Sequence, residues 1–257
     1  MGVPKVIHYC WFGKGDMPDK EKECVETWKK IFPDYQIKCW NEDNFDYSGC
    51  TFSRQAYEQK QYAFVSDYAR AKILYEYGGI YLDTDVKVIK KFPEPTGQNG
   101  FMAFERRAFL GTAVLGSVPK SPQIKELLDY YEKHSFMGKS GKIDNIANVS
   151  ILTDIMKKYG LIPGGEKQNV AGFDIFNREV FFPKKLDNNS FKITEETCAI
   201  HMCTNSWLTE REKKRGNNKL WINVARPILQ RSKSIATKIL GKERTRKLEI
   251  SIRNRLR

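Results

Sequence analysis

Two aspartates, Asp83 and Asp85, stand one residue apart in the segment YLDTDVKVI (81–89), which otherwise reads as buried β-strand. Two such side chains on one strand share a face, and a pair of buried carboxylates is costly unless a cation sits between them. If the strand ends at Leu82, both project from its carboxyl end, where open α/β sheets bind ligands. Carboxylate ligation suits Mg²⁺ or Mn²⁺, ions that commonly bridge protein carboxylates and substrate phosphates. A nucleotide diphosphate is the cargo this chemistry favours. Taken alone, three residues read equally well as a solvated turn with two surface aspartates.

The elements around the pair alternate. KVIHYCW and YQIKCW have strand character and flank a helix, KECVETWKKIF, bounded by Pro18 and Pro33. A long helical stretch, AFVSDYARAKILYEY, stops at Gly78-Gly79, and IYLDTDVKVI follows as strand, turn, strand. FMAFE and GTAVLGS read as strands, SPQIKELLDYYEKH as a helix with Ser121 as N-cap and Pro122 at its first position, NVSILTDIMKKYG as a helix and CAIHMC as a late strand. Such alternation predicts an α/β layered fold with a mostly parallel central sheet. Residues 96–120 and 160–195 hold the long connections, and GGEKQNVAGFDIFN (164–177) reads either as a mobile lid or as an ordinary surface loop.

At 257 residues and 40% hydrophobic content, the chain can bury a full core. No apolar run approaches the ~18 residues of a membrane span, and MGVPKVIHYCWFG shows no secretion signal, so a cytoplasmic protein is expected. The six cysteines form no CxxC pair and read as reduced core thiols, which makes structural zinc improbable. Charge is segregated: from Arg211 onward there are 16 Lys+Arg against 3 acidic residues, while positions 1–210 carry 28 of each sign. The division predicts a catalytic domain at 1–210 and a basic segment at 211–257. In that segment Trp221, Val224, Ile228, Leu229, Ile235 and Ile239 recur at the spacing of one helix face. A basic amphipathic helix suits an anionic lipid surface, since phosphate-backbone binding needs no apolar stripe.

The pair does not stand alone. VSDYARAKILYEYGGIYLDTDV (65–86) resembles the DXD sugar-nucleotide region of glycosyltransferase family 32, with the catalytic domain of the large glucosylating toxins as a more distant relative. VPKVIHYCWFGKG (3–15) is similar to the family's opening strand and loop, and AIHMCTNSW (199–207) to its closing segment. The resemblance implies a GT-A-type, Rossmann-like nucleotide-sugar transferase fold and a retaining hexosyl transfer from a UDP-sugar to a glycan acceptor, expected to be lipid-linked and part of cell-surface polysaccharide synthesis. It implies that Trp11 stacks on the donor's base, that Asp67 and Arg70 hydrogen-bond the donor sugar, and that Asp83 and Asp85 hold the metal. It further implies that His201 is a third metal ligand, favouring Mn²⁺ over Mg²⁺, and that Ser206 and Trp207 bind the β-phosphate and glycosidic oxygen. Met202, Cys203 and Asn205 depart from the family's HHWAGSW form, although Ser-Trp is kept.

The acceptor chemistry would then explain the tail, which would hold the enzyme peripherally on the inner face of the membrane. The rival reading is an Mg²⁺-dependent nucleic-acid enzyme whose tail grips phosphate. A base-stacking tryptophan 72 positions before Asp83 has no place in that chemistry, so no nucleic-acid partner is expected.

Overall fold

The computed structural model describes residues 2–204, apart from positions 95, 107, 139–142, 144–146 and 187–189. Ser206, Trp207 and the basic segment 211–257 lie outside the described residues.

The chain opens with β1 (Val6–Cys10), α1 (Asp19–Ile31) and β2 (Gln36–Trp40). α1 starts after Pro18, carries Asp19 and Glu21 in its first turn and Lys29 and Lys30 in its last, and so complements its own dipole at both ends. α2 (Thr51–Glu58) and α3 (Tyr62–Tyr77) follow. Seven residues of α3 are buried, from Val65 to Leu74, and they lie around the helix rather than along one stripe, as a core helix requires. Gly78 and Gly79 end it with φ of +65° and +95°. A Cβ at Gly79 would lie 2.7 Å from the Val6 carbonyl oxygen, so the close approach to β1 demands glycine. β3 (Gly79–Leu82) and β4 (Val86–Val88) are joined by the turn that holds both aspartates. Then come β5 (Gly100–Arg106), β6 (Phe109–Leu110), β7 (Val114–Ser117), α4 (Pro122–Lys133), α5 (Asn148–Lys158), β8 (Gln168–Val170), β9 (Phe173–Phe176), a 3-10 turn at Arg178–Val180 and β10 (Ala199–His201).

The main sheet has the order β2-β1-β3-β7-β5-β9-β8, with β6 also paired to β5. β2, β1, β3, β5 and β9 run one way and β7 and β8 the other. The sheet is thus largely parallel in direction, with a Rossmann-like parallel end joined to a mixed one, as the alternation of elements predicts. From β1 the chain crosses outward to β2 and then returns across β1 to β3, which makes the β1/β3 boundary a topological switch point. The register Ile7↔Ile80 and His8↔Tyr81 sets the end of β1 level with Asp83.

Alternate residues of the strands enter two separate cores. Tyr81, Met102, Phe104 and Leu115 pack with α2–α5, and Ile80, Leu82, Phe101 and Val114 pack with α1 and β4, so both faces of the sheet are covered.

Three expectations need correction. α2 sits where no element is predicted. The 164–177 segment is neither lid nor plain loop: it forms the β8–β9 hairpin, and β9 pairs in parallel with β5 inside the main sheet. Ala171 and Gly172, both at positive φ, make its two-residue turn. Ser121 does occupy the N-cap of α4 with Pro122 next, yet its hydroxyl donates to Gln123 Oε1 instead of capping the helix.

His8 ties this arrangement together. The Trp40 indole N–H donates to its Nδ1 at 3.1 Å, so Nε2 carries the proton and donates to the Gly78 carbonyl at 3.0 Å. Burial at 2% exposure lowers its pKa to about 4. The unfolded chain binds the extra proton first, so this contribution is complete above pH 6.5 and is lost as pH falls towards 4, by ~3 kcal/mol in all. Urea unfolding at pH 7 and pH 4.5 is expected to show a larger stability loss for the wild type than for His8→Gln.

Candidate functional site

The site gathers at the carboxyl end of β3. The Asp83 N–H donates to the Ala113 carbonyl at 2.9 Å, and the Val86 N–H closes the turn on the Asp83 carbonyl at 3.0 Å. Tyr81 and Asp83, two apart on a strand, lean to the same face, and the Tyr81 hydroxyl donates to Asp83 Oδ1 at 3.1 Å. α3 supplies the counter-charge. Arg70, only 5% exposed, pairs through Nη2 with Asp67 Oδ1 at 3.0 Å and Asp83 Oδ1 at 3.1 Å, donates from Nη1 to the Thr112 carbonyl at 2.6 Å, and lies over the Tyr81 ring. Burial alone would loosen the proton on this guanidinium; Asp83, Tyr81 and Asp67 more than reverse that and hold it above the usual arginine range. Asp67 shows the opposite balance, since burial lifts its pKa to about 6 against the pull of Arg70. Its Oδ1 also accepts the Asn148 amide, whose own carbonyl oxygen accepts the Thr112 hydroxyl at 2.8 Å.

The second half of the site comes from the far end of the described chain. β10 pairs antiparallel with β4, and the register His201↔Val86 sets His201 beside the aspartate turn. His201 Nε2 is 3.3 Å from Asp85 Oδ1; the other oxygen, Oδ2, accepts the Thr204 N–H at 2.9 Å, and the Asp85 carbonyl accepts the Met202 N–H at 2.9 Å. Burial pushes the Asp85 carboxyl up, but hydrogen bonds from His201 and Thr204 outweigh it and hold the pKa below the ordinary value. Burial likewise works against charge on His201, and Asp85 overrides it, holding the imidazolium well above its usual pKa.

One donor atom from each of Asp83, Asp85 and His201 falls within 4.8 Å of the others. Two carboxylates and an imidazole at that spacing fit a shared divalent cation, and the imidazole favours a first-row transition metal over Mg²⁺. Trp11 follows β1 at the switch point, half-buried, its main-chain N–H on the Trp40 carbonyl at 2.9 Å and its indole N–H on the Gly15 carbonyl at 2.7 Å. The loop behind it is held by Glu42, whose Oε1 accepts both the Gly13 N–H at 2.6 Å and the Tyr57 hydroxyl at 2.9 Å.

Of the residues expected at a site, Asp67, Arg70, Asp83, Asp85 and His201 form one connected cluster, and Trp11 stands at the end of the neighbouring strand. Ser206 and Trp207 fall outside the described residues. Sequence reasoning passed over Tyr81, Thr112, Asn148 and Thr204. Strand alternation would have found Tyr81; no local pattern marks the other three.

Residues 18–102, which include Asp67, Arg70, Asp83 and Asp85, match the family model described as a glycosyltransferase sugar-binding region containing a DXD motif. Over that stretch the chain is similar to the sugar-binding region of DXD glycosyltransferases. It is 26% identical over 169 residues to an uncharacterized glycosyltransferase of Acanthamoeba polyphaga mimivirus, covering 61% of this chain and 66% of that one. It is 33% identical over 92 residues to inositol phosphoceramide mannosyltransferase 3 of Schizosaccharomyces pombe, covering 33% of this chain and 24% of the relative. Lactosylceramide 4-alpha-galactosyltransferase of Mus musculus is 27% identical over 157 residues, 60% of this chain and 39% of its own. The chain thus spans only part of the length of these relatives. Among solved structures, the PaToxG glycosyltransferase aligns at a TM-score of 0.46 with 20% identity, covering 61% of this chain and 69% of that one.

Removing the Arg70 guanidinium leaves two partly buried carboxylates without their counter-charge, so Arg70→Leu is expected to lower the unfolding free energy by roughly 3 kcal/mol in denaturant titrations. Adding Asp67→Asn is expected to recover part of the loss, because one orphaned charge is gone.

Proposed function

We propose that the chain is a metal-dependent, retaining hexosyltransferase that uses a nucleotide-diphosphate sugar, a UDP-sugar foremost, and a lipid-linked glycan acceptor. The observation that carries this reading is the Asp83–Asp85–His201 cluster, set beside the Arg70–Asp67 pair at the switch point of the sheet. The family match over residues 18–102 supports it.

Each group has work that fits its surroundings. Trp11 offers an aromatic platform for the base beside the end of β3. Asp67, kept partly protonated near pH 6 by burial, and Arg70 present a donor and acceptor edge for sugar hydroxyls. Asp83, Asp85 and His201 would hold the metal, with Mn²⁺ preferred and Mg²⁺ second. When bound, such an ion supplies a Lewis acid at the diphosphate, where charge develops as the bond to the sugar C1 breaks. Ser206 and the Trp207 indole would add hydrogen-bond donors to the same leaving group. Among the described residues, each carboxylate of the cluster is engaged: Asp67 by Arg70 and Asn148, Asp83 by Arg70 and Tyr81, Asp85 by His201 and Thr204. A carboxylate so held is a poor covalent nucleophile, which supports retention by acceptor attack from the leaving-group face.

The acceptor class draws support from the names of two relatives, one acting on inositol phosphoceramide and one on lactosylceramide. An acceptor in a bilayer gives the basic segment 211–257 its purpose as an anchor on an anionic cytoplasmic leaflet, with the product entering cell-surface polysaccharide. No helix of the described residues is long and apolar enough to cross a membrane.

A panel of UDP- and GDP-sugars assayed with Mn²⁺, Mg²⁺ or EDTA is expected to give metal-dependent turnover of one donor. Asp85→Ala should reduce kcat by about 10²–10³ or more; equal turnover in EDTA would overturn the metal assignment. In flotation assays, the 257-residue chain is expected to rise with anionic liposomes while a chain ending at residue 210 stays behind; equal flotation would refute the anchor.

A further inference from the structure

α1 carries a carboxylate that the donor-binding reading does not use. Glu21, in the first turn, is 3% exposed. Its Oε1 accepts the Thr204 hydroxyl at 3.0 Å. The same hydroxyl lies 3.3 Å from Asp85 Oδ2, the oxygen that takes the Thr204 N–H at 2.9 Å. A hydroxyl has one proton and serves one carboxylate at a time. Thr204 therefore sits as a wedge between two acidic side chains, one from α1 and one from the aspartate turn, 183 and 119 positions away in the chain.

Among the described residues, no lysine, arginine or histidine forms an ion pair with Glu21. A buried carboxylate whose only side-chain partner is a shared hydroxyl is poorly compensated. Its place in the first turn brings the positive end of the α1 dipole, which offsets only a fraction of that burial. Thr204 joins Glu21 directly to Asp85, one of the three residues of the Asp83–Asp85–His201 cluster.

We infer that Glu21 is a positioning residue of the metal site: it fixes Thr204, and through it Asp85, and its negative charge adds to the field that draws a divalent cation into the cluster. It touches neither the ion nor the donor. The inference rests on the metal reading given above. It also gives the closing segment 199–204 a reason to lie against α1, since the wedge fails if either side withdraws.

The test is Mn²⁺ binding to the full chain without any donor, read by the loss of free-ion paramagnetic resonance signal, together with thermal unfolding in EDTA and in saturating Mn²⁺. Glu21→Gln keeps an acceptor for the Thr204 hydroxyl and removes the charge. It is expected to bind Mn²⁺ roughly 10-fold more weakly, to unfold in EDTA at the wild-type temperature or above it, and to gain less from added Mn²⁺. Thr204→Val, which keeps the charge and severs the link, is expected to weaken Mn²⁺ binding as well. Wild-type Mn²⁺ affinity in Glu21→Gln with a lower unfolding temperature in EDTA would make Glu21 a plain structural anchor and overturn the inference alone. A wild-type chain that binds neither Mn²⁺ nor Mg²⁺ would overturn the metal reading and the inference with it.

Discussion

Arg70 is the residue on which the rest of the site depends. A guanidinium at 5% exposure needs its charge and its donors satisfied, and it meets Asp67, Asp83 and the Thr112 carbonyl at once. Those three partners come from α3, from the turn after β3 and from the approach to β7. The planar fork of an arginine can reach them together, which a lysine ammonium could not do with the same geometry. The network therefore fixes the height of α3 against the sheet and the direction in which Asp83 leaves its strand. Asn148 extends it to α5 through Asp67, so the helix layer and the strand edge share one set of hydrogen bonds.

The backbone beneath this cluster is set by fewer choices than the side chains suggest. Glycine at 78 and 79 lets α3 end and β3 begin without a spacer, and the resulting closeness to β1 puts His8 within reach of both Gly78 and Trp40. Once β3 lies beside β1, the end of β1 and the aspartate turn must emerge side by side, and the Trp11 loop leaves the sheet at the same edge as the aspartate turn as a matter of register. The two cores then divide cleanly by alternation, with Tyr81 turned to the helices and Ile80 and Leu82 to α1. Leaving a tyrosine on the Arg70 side provides both a face for the guanidinium and a hydroxyl for Asp83.

What the sequence made legible follows the range of the forces involved. The α1, α3, α4 and α5 helices have clear apolar spacing or punctuation by proline and glycine, and Asp83 and Asp85 stood out because acidic residues inside an apolar strand are conspicuous, whereas His201 was expected only through the family resemblance. The β8–β9 hairpin was not, because its turn is Ala171-Gly172 and not the Asn-Gly or Asp-Gly pair that announces two residues at positive φ. Its strands are three and four residues long, too short for alternation to speak. α2 hid for a related reason: at eight residues its period barely repeats, and it begins after Cys50 with no side-chain cap. Asn148 and Thr112 were invisible for a different reason, since their roles are contacts across 81, 36 and 42 positions that only the closed fold creates.

The same distinction explains why the family match stops where it does. Residues 18–102 contain Asp67, Arg70, Asp83 and Asp85, a local block in which one helix, one strand and one turn supply the acidic part of the cluster and its arginine. The imidazole and the Thr204 wedge arrive about a hundred residues later, and nothing in the intervening sequence marks their destination. What brings them back is the two-stranded β4–β10 pairing, three residue pairs long, in which Val86 immediately follows Asp85 and faces His201. That short ladder is the only backbone pairing that β4 and β10 make among the described residues. A cluster divided in this way is complete only when the chain has closed, so hydrogen-bonding capacity at Asp85 and stability of the β4–β10 ladder are one property seen from two sides. Val86 and Ala199, buried in the core on the α1 side of the sheet, then bear on the Asp85–His201 geometry through the ladder they hold in place.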